Sequence, residues 1–140
     1  KTAYYNLLHG VTADGAWEPW ILYMLEAVKV TAMWTTEKIQ AIKLLLDNTA
    51  KLFRDADPRI YSRELTELIF TQPYCRISTL VDNGIAARHA ASNYLNRMVE
   101  LGILAQVEAK GAQKVFVNPR FLALLKAGEG ADMAQTATTV

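Results

Sequence analysis

The chain has 140 residues, of which 51% are apolar, and a formal net charge of +1. That length holds one ordinary domain or two small ones, and that apolar share builds a packed core, so a wholly disordered chain is excluded. Charge is unevenly spread: residues 1–58 carry six Lys/Arg against seven Asp/Glu, residues 59–126 carry nine against five, and the tail from 127 carries two acids.

In chain order, Tyr4, Tyr5, Leu7, Leu8 and Val11 predict a short helix that stops at the Asp14-Gly15 turn signal. From Trp17 the apolar set Trp20, Ile21, Met24, Leu25 and Val28 is followed by Ile39, Ile42, Leu45, Leu46, Leu52 and Phe53. Steps of three and four predict a helix, with Pro19 in its first turn and Glu18 at the positive end of its dipole. Unbroken to Arg54, it would span on the order of 55 Å; the polar stretch Thr31 to Lys38 has little to bury, and a bend is expected there. Trp17 and Trp20 fall on the apolar stripe and are expected in a core. Trp34 falls off it and is expected exposed, at an interface.

Asp55-Ala56-Asp57-Pro58 breaks the pattern, because a residue before proline leaves the helical region. The boundary is therefore drawn after residue 57. Ser62 caps a helix through Phe70, with Glu64 in its first turn and Leu65, Leu68 and Ile69 as its buried stripe. Gln72-Pro73 ends it. The single cysteine, Cys75, is read as a structural thiol in a turn; it excludes an internal disulfide and a cysteine-rich zinc site. Ile77, Leu80 and Val81 fit a second short helix that stops at Asn83-Gly84. A third helix is predicted from about Arg88 to Leu101, with Ala91, Tyr94, Leu95, Met98 and Leu101 inward. Arg88, His89, Ser92, Asn93, Asn96 and Arg97 are left outward.

Alternation over 104–108, then Lys110-Gly111 and the run Val115-Phe116-Val117, predicts a two-stranded hairpin. Asn118-Pro119 opens a last helix through Leu125. After Gly128 the run lacks large apolar residues, and residues 127–140 are read as a disordered tail. The order turn, helix, glycine stop and hairpin over residues 84–117 is that of a winged helix-turn-helix.

These residues carry a resemblance. Tyr4-Tyr5 and Gly15-Ala16-Trp17-Glu18-Pro19-Trp20-Ile21-Leu22-Tyr23-Met24-Leu25 resemble the helices that follow the active-site loop of Fic-domain proteins. Glu67-Leu68-Ile69-Phe70-Thr71-Gln72-Pro73-Tyr74-Cys75, the segment Gly84–Leu104 and Lys114–Leu122 resemble the winged-helix module common at their C-termini. The resemblance implies a mainly α fold: residues 1–57 as the terminal helices of a Fic domain with a long connecting helix, and residues 58–126 as a winged helix-turn-helix with a small two-stranded hairpin. It also implies a parent enzyme that transfers AMP from ATP, with Mg²⁺, to a protein hydroxyl (AMPylation). That family's loop reads His-Pro-Phe-x-Asp-Gly-Asn-Gly-Arg. Here His9 precedes Gly10 and His89 precedes Ala90, and Asp14-Gly15 is followed by Ala16. No catalytic residue carries over, so the fragment itself is expected to be neither an enzyme nor a cofactor binder. Since the chain opens at Lys1 inside an aromatic helical pattern, it is read as the back end of a longer protein. Ala90, where similar modules often have Thr, and the Ala112-Gln113 wing tip depart from the pattern and remove polar contacts.

Two readings of the outward residues stay open. Arg88, His89, Ser92, Asn93, Asn96 and Arg97, with Lys110 and Lys114 on the hairpin, suit base edges and phosphates of duplex DNA; the same residues suit a solvated face. The alternative function is a protein-interaction or dimerisation module without nucleic-acid binding. The partners expected are the parent Fic lobe, duplex DNA, a second copy and the protein target of AMPylation. No membrane is expected, since no apolar run reaches the ~20 residues a bilayer requires. A cytoplasmic location fits the lone cysteine and the lack of a signal-peptide pattern. Glu64 and Glu67 are neighbours on a wet helix face, with nothing to supply a catalytic pocket.

Overall fold

The computed structural model of the chain describes residues 2–108 and 114–127. In chain order these form α1 (Thr2–Asp14), α2 (Trp17–Ala56), α3 (Arg63–Thr71), β1 (Tyr74–Cys75), α4 (Ile77–Asp82), α5 (Arg88–Glu100), β2 (Ala105–Glu108), β3 (Lys114–Val117) and α6 (Pro119–Lys126). The protein is mainly α with a small antiparallel sheet, and its chain falls into two compact units, one holding residues 2–40 and the other 41–127. The tail from 128 and the hairpin tip with Lys110 lie outside the described residues.

In the first unit α1 ends where Gly15 takes φ +66°, a conformation that a residue without Cβ adopts at little cost. The Gly15 N–H then donates to the Val11 carbonyl at 3.1 Å. Tyr4 sets its ring edge-on to Trp20, with centroids 4.9 Å apart. The stretch Thr31 to Lys38 stays within α2, where the Thr31 and Thr36 hydroxyls donate back to the Ala27 and Ala32 carbonyls. The expectation that Trp17 and Trp20 enter a core is corrected. Trp17 is 60% exposed, Trp20 is half-buried, and no described residue of this unit is fully buried. A helical period says which side chains share a face; two helices alone supply no second layer to cover it. Trp34 is exposed as expected, though so are the stripe residues beside it, and Lys38 Nζ lies 4.6 Å from its ring centroid.

The second unit has a packed core. The last turns of α2 contribute Phe53; α3 adds Leu65, Ile69 and Phe70; α4 adds Leu80; α5 adds Ala91, Leu95 and Met98; Phe116 and Phe121 close it; and the partly buried Ile42, Leu45 and Leu46 of α2 pack against this core. Each Leu, Ile, Phe or Met side chain that is fully buried among them is worth about 1.5–3 kcal/mol. The helix ends follow local chemistry. Ser62 Oγ caps α3 by accepting from the Leu65 N–H at 3.0 Å. Helices α4 and α5 both end on a glycine at positive φ, Gly84 and Gly102. After each, the next N–H reaches back along the last turn: Ile85 to the Leu80 carbonyl and Ile103 to that of Met98.

The sheet has the order β1-β3-β2, all antiparallel. Residues 105–108 pair with 114–117 as the alternation predicts. A third strand was not anticipated, and it corrects the placement of Cys75. The cysteine lies in β1 opposite Phe116, buried, instead of in a turn. Two residues are too few to show a period of two. The Asn118 N–H extends this edge by donating to the Pro73 carbonyl at 2.8 Å.

Candidate functional site

Helix α5 owes its two faces to the spacing of its sequence. Ala91, Leu95 and Met98 are buried, and at about 3.6 residues per turn the opposite side carries His89, Asn93, Asn96, Arg97 and Glu100. Of the residues singled out from the sequence, Arg88, His89 and Asn93 are exposed, whereas Ser92, Asn96 and Arg97 are half-buried. His89, Asn93 and Arg97 follow one another at steps of four and form one stripe. Lys114 is exposed at the start of β3, in register with Glu108 on β2.

Arg97 is the residue whose surroundings change its reading most. Its Nε donates to Asp57 Oδ2 at 3.1 Å and its Nη1 to Glu100 Oε2 at 2.7 Å. Glu100 first and Asp57 second raise the guanidinium pKa, so the group is firmly cationic but spoken for. Asp57 is itself held in place. Its N–H donates to the Phe53 carbonyl at the end of α2, and its carbonyl accepts from Ile60 and Tyr61. Tyr61 in turn accepts from Arg54 Nη2 at 2.9 Å and sets its ring edge to Phe53. Sequence reasoning missed Asp57 and Glu100 as partners. Glu100, three residues on, is a visible helical neighbour; nothing local marks Asp57, which lies 40 residues away.

Cys75 is buried within β1, and desolvation pushes its thiol up to about 11, which leaves it un-ionised and unreactive at neutral pH. Among the described residues, no three His, Cys, Asp or Glu side chains gather as a metal site would require, and no helix is long and apolar enough to cross a membrane.

The second unit therefore defines a class of module: a cluster of helices backed by a three-stranded sheet, with one helix face and part of one strand pair, including Gln106, Val107 and Lys114, open to solvent. Residues 45–121 match the family described as protein adenylyltransferase SoFic-like, C-terminal domain. The match spans more than half of the chain, and the chain belongs to this family, the C-terminal region of Fic-type adenylyltransferases.

Proposed function

We propose that this chain is the non-catalytic C-terminal portion of a Fic protein adenylyltransferase, in which residues 2–40 seat against the catalytic body and the winged helix-turn-helix of the second unit serves regulation. One observation carries the docking reading. Between residues 17 and 34, large apolar side chains are exposed around the whole circumference of α2: Ile21, Met24 and Val28 on one side, Leu22 (60% exposed) and Met33 (57%) on another, Tyr23, Val30 and Trp34 on a third. A helix apolar all round is one that neighbours enclose. A second copy laid along one side leaves the other sides wet, so an enclosing protein body is the better fit. ATP and Mg²⁺ chemistry belongs to that body and acts on a protein hydroxyl.

The test is to mix the chain with a separately produced catalytic domain of the same family. Expected are co-elution and protection of amides 17–34 from exchange, both lost with Leu22→Asp combined with Met33→Asp. Co-elution that survives these charges would refute the reading. A dimer of the chain alone, dispersed by Trp34→Asp, would favour self-association instead. ATP-dependent labelling by the chain alone would refute its non-catalytic assignment.

A second reading, contact of the second unit with duplex DNA, is favoured by the exposure of Arg88, His89 and Asn93 on α5, with Lys114 on the strand pair. Arg and Asn suit base edges and phosphates. Binding is expected to weaken linearly in log Kd against log salt, as counterion release requires. The absence of binding at low salt would remove this reading.

A further inference from the structure

The outward stripe of α5 ends in a cation that is already occupied, and this suggests how the face is controlled. We infer that Arg97 is a phosphate-contact group held in reserve: Asp57 and Glu100 keep its guanidinium off the duplex, and their release extends the nucleic-acid face by one contact. The inference deepens the DNA reading given above and rests on it. Arg97 lies one helical turn beyond Asn93 and two beyond His89, on the same side of α5, so a duplex laid along that stripe meets it next.

The two ion pairs are not deeply buried. The Arg97 side chain retains 37% of its exposure, Asp57 retains 23% and Glu100 retains 63%. Pairs in that setting are individually weak. A duplex phosphate offers the same guanidinium a charge-assisted bond and releases a counterion, but both ion pairs must be given up for it; together they hold the group back in the wild type, and without them the phosphate gains it. Asp57 cannot travel with Arg97. Its backbone is tied to Phe53 at the end of α2 and to Ile60 and Tyr61 in the following turn. The arginine must therefore leave Asp57 to reach the phosphate, which makes the contact an alternative to the ion pair rather than an addition to it.

The experiment uses the whole chain and a plain duplex DNA, with Kd followed across a salt series for wild type, Asp57→Asn/Glu100→Gln, and the same pair in an Arg97→Ala background. The double variant is expected to bind severalfold more tightly at low salt, with the slope of log Kd against log salt steeper by about 0.9, the value for one added phosphate. With Arg97→Ala both gains are expected to vanish. Gains that persist without Arg97 mean that lost negative charge acts diffusely, and this overturns the inference while leaving DNA binding intact. An unchanged slope with binding present also overturns it. If neither wild type nor the double variant binds, the DNA reading and the inference fall together. Glu100→Gln alone, at an exposed carboxylate, supplies a variant with little bearing on folding; a smaller gain in the same direction is expected from it.

Discussion

Asn118 offers the sharpest test of how the second unit is held together. Its side chain is buried, with 3% exposure, and makes two bonds: Oδ1 accepts from the Phe121 N–H at 3.1 Å, capping α6, and Nδ2 donates to the Ile69 carbonyl of α3 at 3.4 Å. Substituting Asn118→Ala removes the cap, worth about 1 kcal/mol. It also strips a partner from a buried carbonyl. That bond is long, so its share is taken at the lower end, about 0.5–1 kcal/mol. Together they give a loss of roughly 2 kcal/mol, which raises the unfolded fraction about thirtyfold. Asn118→Asp keeps the cap acceptor but turns a carboxylate oxygen toward the Ile69 carbonyl, so it is expected to cost at least as much at neutral pH. Tryptophan fluorescence is the wrong probe, because Trp17, Trp20 and Trp34 all lie in the first unit. Urea dependence of amide exchange at Leu95 and Phe116 reads the right one. A change in either direction smaller than about 0.5 kcal/mol for Asn118→Ala would show that water replaces both bonds, contrary to the burial.

Three further outcomes follow from the same geometry. Gly102→Ala, forced to φ +69° with open space around the new Cβ, is expected to cost about 1 kcal/mol in urea melts, and Gly102→Asn less; equal costs would contradict a conformational origin. The folded state holds the Cys75 proton that the unfolded chain releases, so stability stays flat below the ordinary thiol pKa of 9.0. It then falls by on the order of 2 kcal/mol as pH rises to about 11; Cys75→Ala should lack this slope, and an identical slope would assign it elsewhere. Leu22→Asp should leave the exchange protection of the second unit unchanged, since residue 22 already faces solvent in the chain alone; loss of that protection would place Leu22 in a core.

The features legible in the sequence were those with local causes. Ser62, Asn83-Gly84, Gly102 and Asn118-Pro119 fix helix ends through chemistry confined to a few residues, and each stop fell within a residue or so of its place. Strand β1 was hidden because its two residues acquire a direction only from β3, some forty positions away. Trp17 was misplaced because periodicity reports a shared face and says nothing of what covers it. On α5 the stripe was legible, but the Arg97–Asp57 bond was not, since the turn after α2 brings that aspartate to the helix only through the completed fold.

The sheet order has a consequence for synthesis. The middle strand is the last of the three to leave the ribosome, so both flanking strands wait without hydrogen-bonding neighbours until residues 114–117 emerge. Until then Cys75 has no strand partner, and the α3–α5 cluster lacks Phe116 and Phe121. Nascent chains halted before that point are consequently the vulnerable species, with bare strand edges and accessible apolar surface that chaperones and proteases recognise.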